Sequence, residues 1–171
     1  MEHIISALVE NRAGTLSRIA GLFSRRAFNI DSLTVGETAD PTISRMTIAV
    51  TGDDDTIEQI VKQIAKLVDV RAVRELEAAH CMRREILLVK IAVDEQSRPA
   101  IIALAGVFRS RIIDVSLSAM TIEATGNREK LEGLLLILKP YGIMELARTG
   151  LIALERGEQT LESHLHHEDQ T

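Results

Sequence analysis

The 171 residues carry a formal net charge of -5 and are 46% hydrophobic but only 2% aromatic, so aliphatic side chains must fill the interior. An acidic balance opposes binding to a phosphate backbone, and the single cysteine, Cys81, excludes an internal disulfide and suits a reducing compartment. Apolar runs such as residues 134–138 fall far short of the roughly 20 residues of a membrane span, and the acidic start at Glu2 lacks a signal-peptide pattern. A cytoplasmic protein with no nucleic-acid and no membrane partner is expected.

Residues 3–9, HIISALV, read as a strand that ends at the polar cluster Glu10, Asn11, Arg12. Gly14 and Thr15 open a helix whose apolar positions Leu16, Ile19, Ala20, Leu22 and Phe23 recur at helical spacing, leaving Arg18, Arg25 and Arg26 toward water. Residues 30–35 and 43–50 read as strands around the turn at 36–41, a hairpin. Asp53, Asp54 and Asp55 suit a helix N-terminus, and Ile57, Ile60, Val61, Ile64 and Leu67 form its apolar stripe. A strand at 68–76 closes a βαββαβ unit, the ferredoxin-like order with an antiparallel sheet and two helices on one face.

The same order recurs: a strand at 85–93, a helix at 99–108, strands at 112–117 and 120–125, a helix at 129–138 and a strand at 143–147. Thr51-Gly52, Ile57-Glu58, Ile60-Val61 and Ile64 correspond in register to Thr125-Gly126, Leu131-Glu132, Leu134-Leu135 and Leu138, the mark of an internal repeat. The expected fold is therefore α+β, with tandem ferredoxin-like domains at 1–77 and 84–157. The polar, aperiodic segment 158–171 is expected to be a disordered tail.

Asn11, Arg12, Ala13, Gly14, Thr15 and Leu16 form the most informative stretch. A glycine where a strand turns into a helix lets a ligand approach free amide groups and the positive end of the helix dipole, which favours a carboxylate; a tight turn alone would also explain it. Asn29, before the second strand, could donate to a carboxylate and accept from an ammonium group, or serve only a local turn. His164, His166 and His167 suggest a metal site but lie in a segment expected to lack fixed geometry. His80 and Cys81 have no partner at nucleophile spacing, and no phosphate-binding loop, nucleophile elbow or metalloprotease motif occurs. The strands lack the aromatics of an RNA-recognition surface, and Arg12 alone is a poor match to a phosphate-cradling enzyme.

LVENRAGTLSRIAGLFSRRAFNIDSLTV (8–35), DPTISRMTI (40–48), KLVDV (66–70), REILLVKI (84–91), FRSRIIDVS (108–116) and ARTGLIALERG (147–157) closely resemble the small regulatory subunits of acetolactate synthase. The resemblance implies an N-terminal ACT domain (a small effector-binding module) and a C-terminal ACT-like domain, with no catalytic site. It implies a homodimer through the ACT domains and association with a catalytic large subunit that carries thiamine diphosphate, Mg and FAD, none of them held by this chain. It further implies activation of that subunit and feedback inhibition by valine in branched-chain amino acid biosynthesis. By motif match, valine lies between Asn11, Ala13, Gly14, Thr15 and Leu16 of one chain and Asn29 and Ile30 of another. A stand-alone amino-acid sensor of another enzyme is the alternative that the residues leave open.

Overall fold

The computed structural model describes residues 2–25 and 29–163. Among the described residues two compact units are present: one within residues 2–82 together with 151–163, the other residues 83–150. The first contains β1 (Glu2–Glu10), α1 (Thr15–Arg25), β2 (Ile30–Glu37), β3 (Ile43–Thr51), α2 (Asp54–Ile64) and β4 (Val70–Leu76), with strands in the order β2-β3-β1-β4 and every pairing antiparallel. Ile5, Ala7 and Val9 on β1 and Met46, Ile48 and Val50 on β3 meet Ile19 and Phe23 of α1 and Ile57, Ile60 and Ile64 of α2. These are the alternate strand positions and the i, i+3, i+4 helix positions that the two periodicities single out.

The second unit repeats the plan with β5 (Cys81–Ala92, which begins just before the unit boundary), α3 (Arg98–Val107), β6 (Arg111–Val115), β7 (Ala119–Gly126), α4 (Arg128–Leu138) and β8 (Ile143–Arg148), in the order β6-β7-β5-β8. Leu87, Val89 and Ile91 of β5 pack with Ile101 and Ala105 of α3 and Leu131, Leu134 and Leu138 of α4. The repeat extends to the caps. Asp53 accepts from the Thr56 amide at 2.9 Å, and Asn127, its counterpart in the aligned register, accepts from the Lys130 amide at 3.0 Å. Both side chains satisfy an amide that the helix itself leaves without an acceptor. The Thr56 hydroxyl and amide hold the Asp53 carboxyl below its ordinary value.

Residues 151–157, which the sequence reading places in the second domain, and residues 158–163 beyond them pack against the first sheet. β9 (Ile152–Glu155) and the turn at 160–163 are part of the first unit. Leu151, Ala153 and Leu161 cover the outer face of its sheet, against Ile4 and Leu8 of β1, Ile43 and Ala49 of β3, and Ala72 and Leu76 of β4. Leu161 is only 4% exposed. The Leu151 amide donates to Ser32 Oγ at 2.7 Å, Arg45 Nη2 donates to the Ala153 carbonyl at 3.3 Å, and Arg74 pairs with Glu155 at 3.0 Å. The cause is the sheet itself: outward aliphatic residues on three neighbouring strands need a cover, and the returning chain supplies it. His164, His166 and His167 lie outside the described residues. Cys81 is buried in the same cluster, and His80 Nδ1 lies 2.7 Å from Glu77 Oε2. Among the described residues, no helix is long and apolar enough to cross a membrane.

Candidate functional site

β1 ends at Glu10, whose amide donates to the Asp69 carbonyl at 2.8 Å, and the chain then turns within four residues into α1. Gly14 makes this turn possible: its φ of +89° lies in the left-handed region that an L side chain rarely adopts. The turn is held from outside. The Asn11 amide donates to the Thr42 carbonyl at 2.7 Å, and Asn11 Nδ2 donates to the Pro41 carbonyl at 3.0 Å and to Glu37 Oε1 at 3.2 Å. Asn11 therefore ties the turn to the β2–β3 hairpin. That hairpin is itself fixed by Asp40, which accepts from the Thr42 hydroxyl and amide; these bonds hold its carboxyl below the ordinary value.

Within the turn the Thr15 amide donates to the Arg12 carbonyl at 3.4 Å and the Arg18 amide to the Gly14 carbonyl at 3.0 Å. The amides of Ala13, Gly14, Leu16 and Ser17 have no protein acceptor among the described residues. They stand at the positive end of an eleven-residue helix, where the dipole and open N–H groups together favour an anion. Thr15 is only 3% exposed, and its Oγ1 has no partner among the described residues. Leu16, 43% exposed, offers an apolar surface beside the amides.

The sequence-derived residues fall into two groups. Asn11, Ala13, Gly14, Thr15 and Leu16 come together at one end of α1, whereas Asn29 and Ile30 lie past its other end, Asn29 exposed and Ile30 half-buried on β2. Eleven helical residues separate the groups by about 16 Å, so one amino acid cannot touch both within a single chain. Arg18 and Asp69 were not among the sequence-derived candidates. Arg18 is ion-paired with Asp69, whose side chain is 8% exposed, and its Nη1 lies 3.8 Å from where a Cβ on Gly14 would be. Arg12, by contrast, is mostly exposed and 3.7 Å from Glu10.

A family model described as the small-subunit-like ACT domain of AHAS (acetohydroxyacid synthase, another name for acetolactate synthase) matches residues 5–72, and one described as the small subunit of acetolactate synthase matches residues 84–157. The chain belongs to the acetolactate synthase small-subunit family. A probable acetolactate synthase small subunit of Methanothermobacter thermautotrophicus is 52% identical over 160 residues, covering 93% of this chain and 95% of the relative. The acetolactate synthase small subunit of Haemophilus influenzae is 46% identical over 162 residues, covering 94% and 99%. The crystal structure of the acetolactate synthase small subunit from Thermotoga maritima aligns with a TM-score of 0.87 at 43% identity, covering 93% of this chain and 99% of that one. The two ferredoxin-like units are thus those of this family, with an ACT domain first. Among the described residues no group of three or more His, Cys, Asp or Glu side chains is placed to hold a metal ion.

Proposed function

We propose that this chain is the regulatory subunit of an acetolactate synthase: it binds a separate catalytic large subunit, activates it, and makes it sensitive to inhibition by valine. In this reading thiamine diphosphate, Mg and FAD belong to the large subunit, and this chain contributes no catalytic group. The observation that carries the effector assignment is the set of four open amides at the positive end of α1, in a turn kept tight by Gly14. The amides hold the valine carboxylate; Leu16 covers the isopropyl group, whose burial contributes about 1.5–3 kcal/mol, with a further ~0.3–2 kcal/mol from the helix terminus.

Asn29 and Ile30 complete the site from a second copy of the chain, Asn29 orienting the zwitterion and Ile30 adding apolar cover. The separation of the two groups along α1 supports this two-chain arrangement, and β2, which carries Ile30, is an edge strand of its sheet. A ligand bridging two chains favours one dimer geometry, and only its difference in affinity between geometries can be passed to the catalytic partner.

The test is an acetolactate-formation assay on the large subunit with and without this chain, and with and without valine. The expected pattern is no activity from the chain alone, activation on mixing, and inhibition by valine; activity of the isolated chain would overturn the reading. Gly14→Asp places a carboxylate against the open amides and should abolish valine inhibition, while the subunits still co-elute in gel filtration. Gly14→Asn tolerates the same backbone angle without the charge, so the difference between the two variants isolates the electrostatic part. Undiminished inhibition in Gly14→Asp refutes the site.

A further inference from the structure

We infer that Arg18 is the side-chain half of the carboxylate grip, a specificity-determining residue that supplies charged donors beside the open amides of the β1–α1 turn. This rests on the effector reading above and names a further residue of the same site. Arg18 follows Gly14 by four positions, one turn into α1, and its backbone amide bonds the Gly14 carbonyl at 3.0 Å. Its guanidinium therefore returns over the turn, where Nη1 stands 3.8 Å from the position of a Cβ on residue 14. With glycine there, no side chain comes between the guanidinium and the amides.

The guanidinium is held in place by one partner. Nη2 donates to Asp69 Oδ2, and Asp69 is fixed in turn, its side chain buried and its carbonyl accepting from the Glu10 amide at 2.8 Å. Arginine has five N–H donors, and among the described residues no partner besides Asp69 engages those of Arg18. Its side chain is 52% exposed, so the guanidinium is not sealed off from a ligand arriving from solvent. If the role were only to neutralise Asp69, the guanidinium would need neither its place over a glycine nor its free donors. In the same turn the buried Oγ1 of Thr15, a residue 3% exposed, is a second polar group without a partner among the described residues. A carboxylate meeting both amides and a guanidinium makes charge-assisted hydrogen bonds, roughly twice as strong as neutral ones. A ligand that keeps the isopropyl and ammonium groups but lacks the negative charge loses that advantage.

Calorimetric titration of the full chain with valine and with valinamide tests this. The native chain should bind valine much more tightly than valinamide. Arg18→Met should weaken valine binding roughly 10- to 100-fold, the worth of a hydrogen bond to a charged group, while changing valinamide binding far less, so that the ratio of the two collapses. Asp69→Asn, which leaves the guanidinium present but loosely placed, should lower the ratio by a smaller factor. Because Arg18→Met leaves Asp69 buried without its cation, Arg18→Lys provides a variant in which that charge keeps a partner. Lysine is a point charge rather than a planar fork, so the ratio should fall there too, to an intermediate value. Should Arg18→Met and Arg18→Lys both keep the native ratio while Gly14→Asp abolishes valine binding, the inference about Arg18 is wrong and the site stands. If Gly14→Asp binds valine undiminished, the site itself is wrong.

Discussion

The central strands of the two units occupy the same place in their sheets and are buried differently. On β1 the residues facing away from the helices, Ile4, Ser6 and Leu8, are all buried, the first and last beneath the returning segment. On β5 burial alternates: Leu87, Val89 and Ile91 are fully buried, while Ile86 and Leu88 are 42% and 38% exposed. The turns into the first helix differ as well. In the first unit four amides are open, whereas in the second the Asp94 carboxylate accepts from the Gln96 amide at 3.0 Å and the Ser97 amide at 2.7 Å, and Ser97 Oγ accepts from the Asp94 amide at 2.9 Å. One framework thus either leaves donors of this turn open or spends them on its own carboxylate.

The widest predicted gap between the units is in core stability. Leu8→Ala should cost about 2–5 kcal/mol, and Leu88→Ala, on the open face of β5, less than about 1 kcal/mol, both read by urea denaturation. Equal costs would break the comparison of the two outer faces. Next come the caps, where the units should agree: Asp53→Ala and Asn127→Ala should each cost about 1 kcal/mol, so a clear inequality would show that the repeat does not extend to helix starts. The smallest effect concerns Asp94. Its carboxyl is held below the ordinary value, chiefly by the Ser97 amide and hydroxyl, so its contribution is present at neutral pH and is lost as the pH falls through the acid range into its lowered folded-state value. Amide NMR shifts of Gln96 and Ser97 should move in that range in the native chain and not in Asp94→Asn.

Most of the architecture could be read from local pattern, because strand alternation and the helix stripes are carried by near neighbours such as Ile57, Ile60 and Ile64. The candidate site, still a proposal, could be picked out in part for the same reason: Gly14 and its neighbours are contiguous and have a recognisable chemistry. Arg18 escaped because its amphipathic position looks like any solvated arginine, and its partner Asp69 lies 51 residues away. The role of Asn11 was also only half visible, since its acceptors, Pro41 and Glu37, are set by the hairpin opposite. β9 and Leu161 were missed because Leu151, Ala153 and Leu161 follow no repeat, and the sheet face they cover lies far away in the sequence.

That return of the chain bears on how the protein is made. The ribosome delivers the N-terminal end first, yet the outer face of the first sheet stays bare until residue 161 has been added, after the whole of residues 83–150 has emerged. The half synthesised first is therefore the half completed last, and a nascent chain stopped near residue 82 exposes Ile4, Leu8, Ile43 and Leu76 to whatever lies nearby.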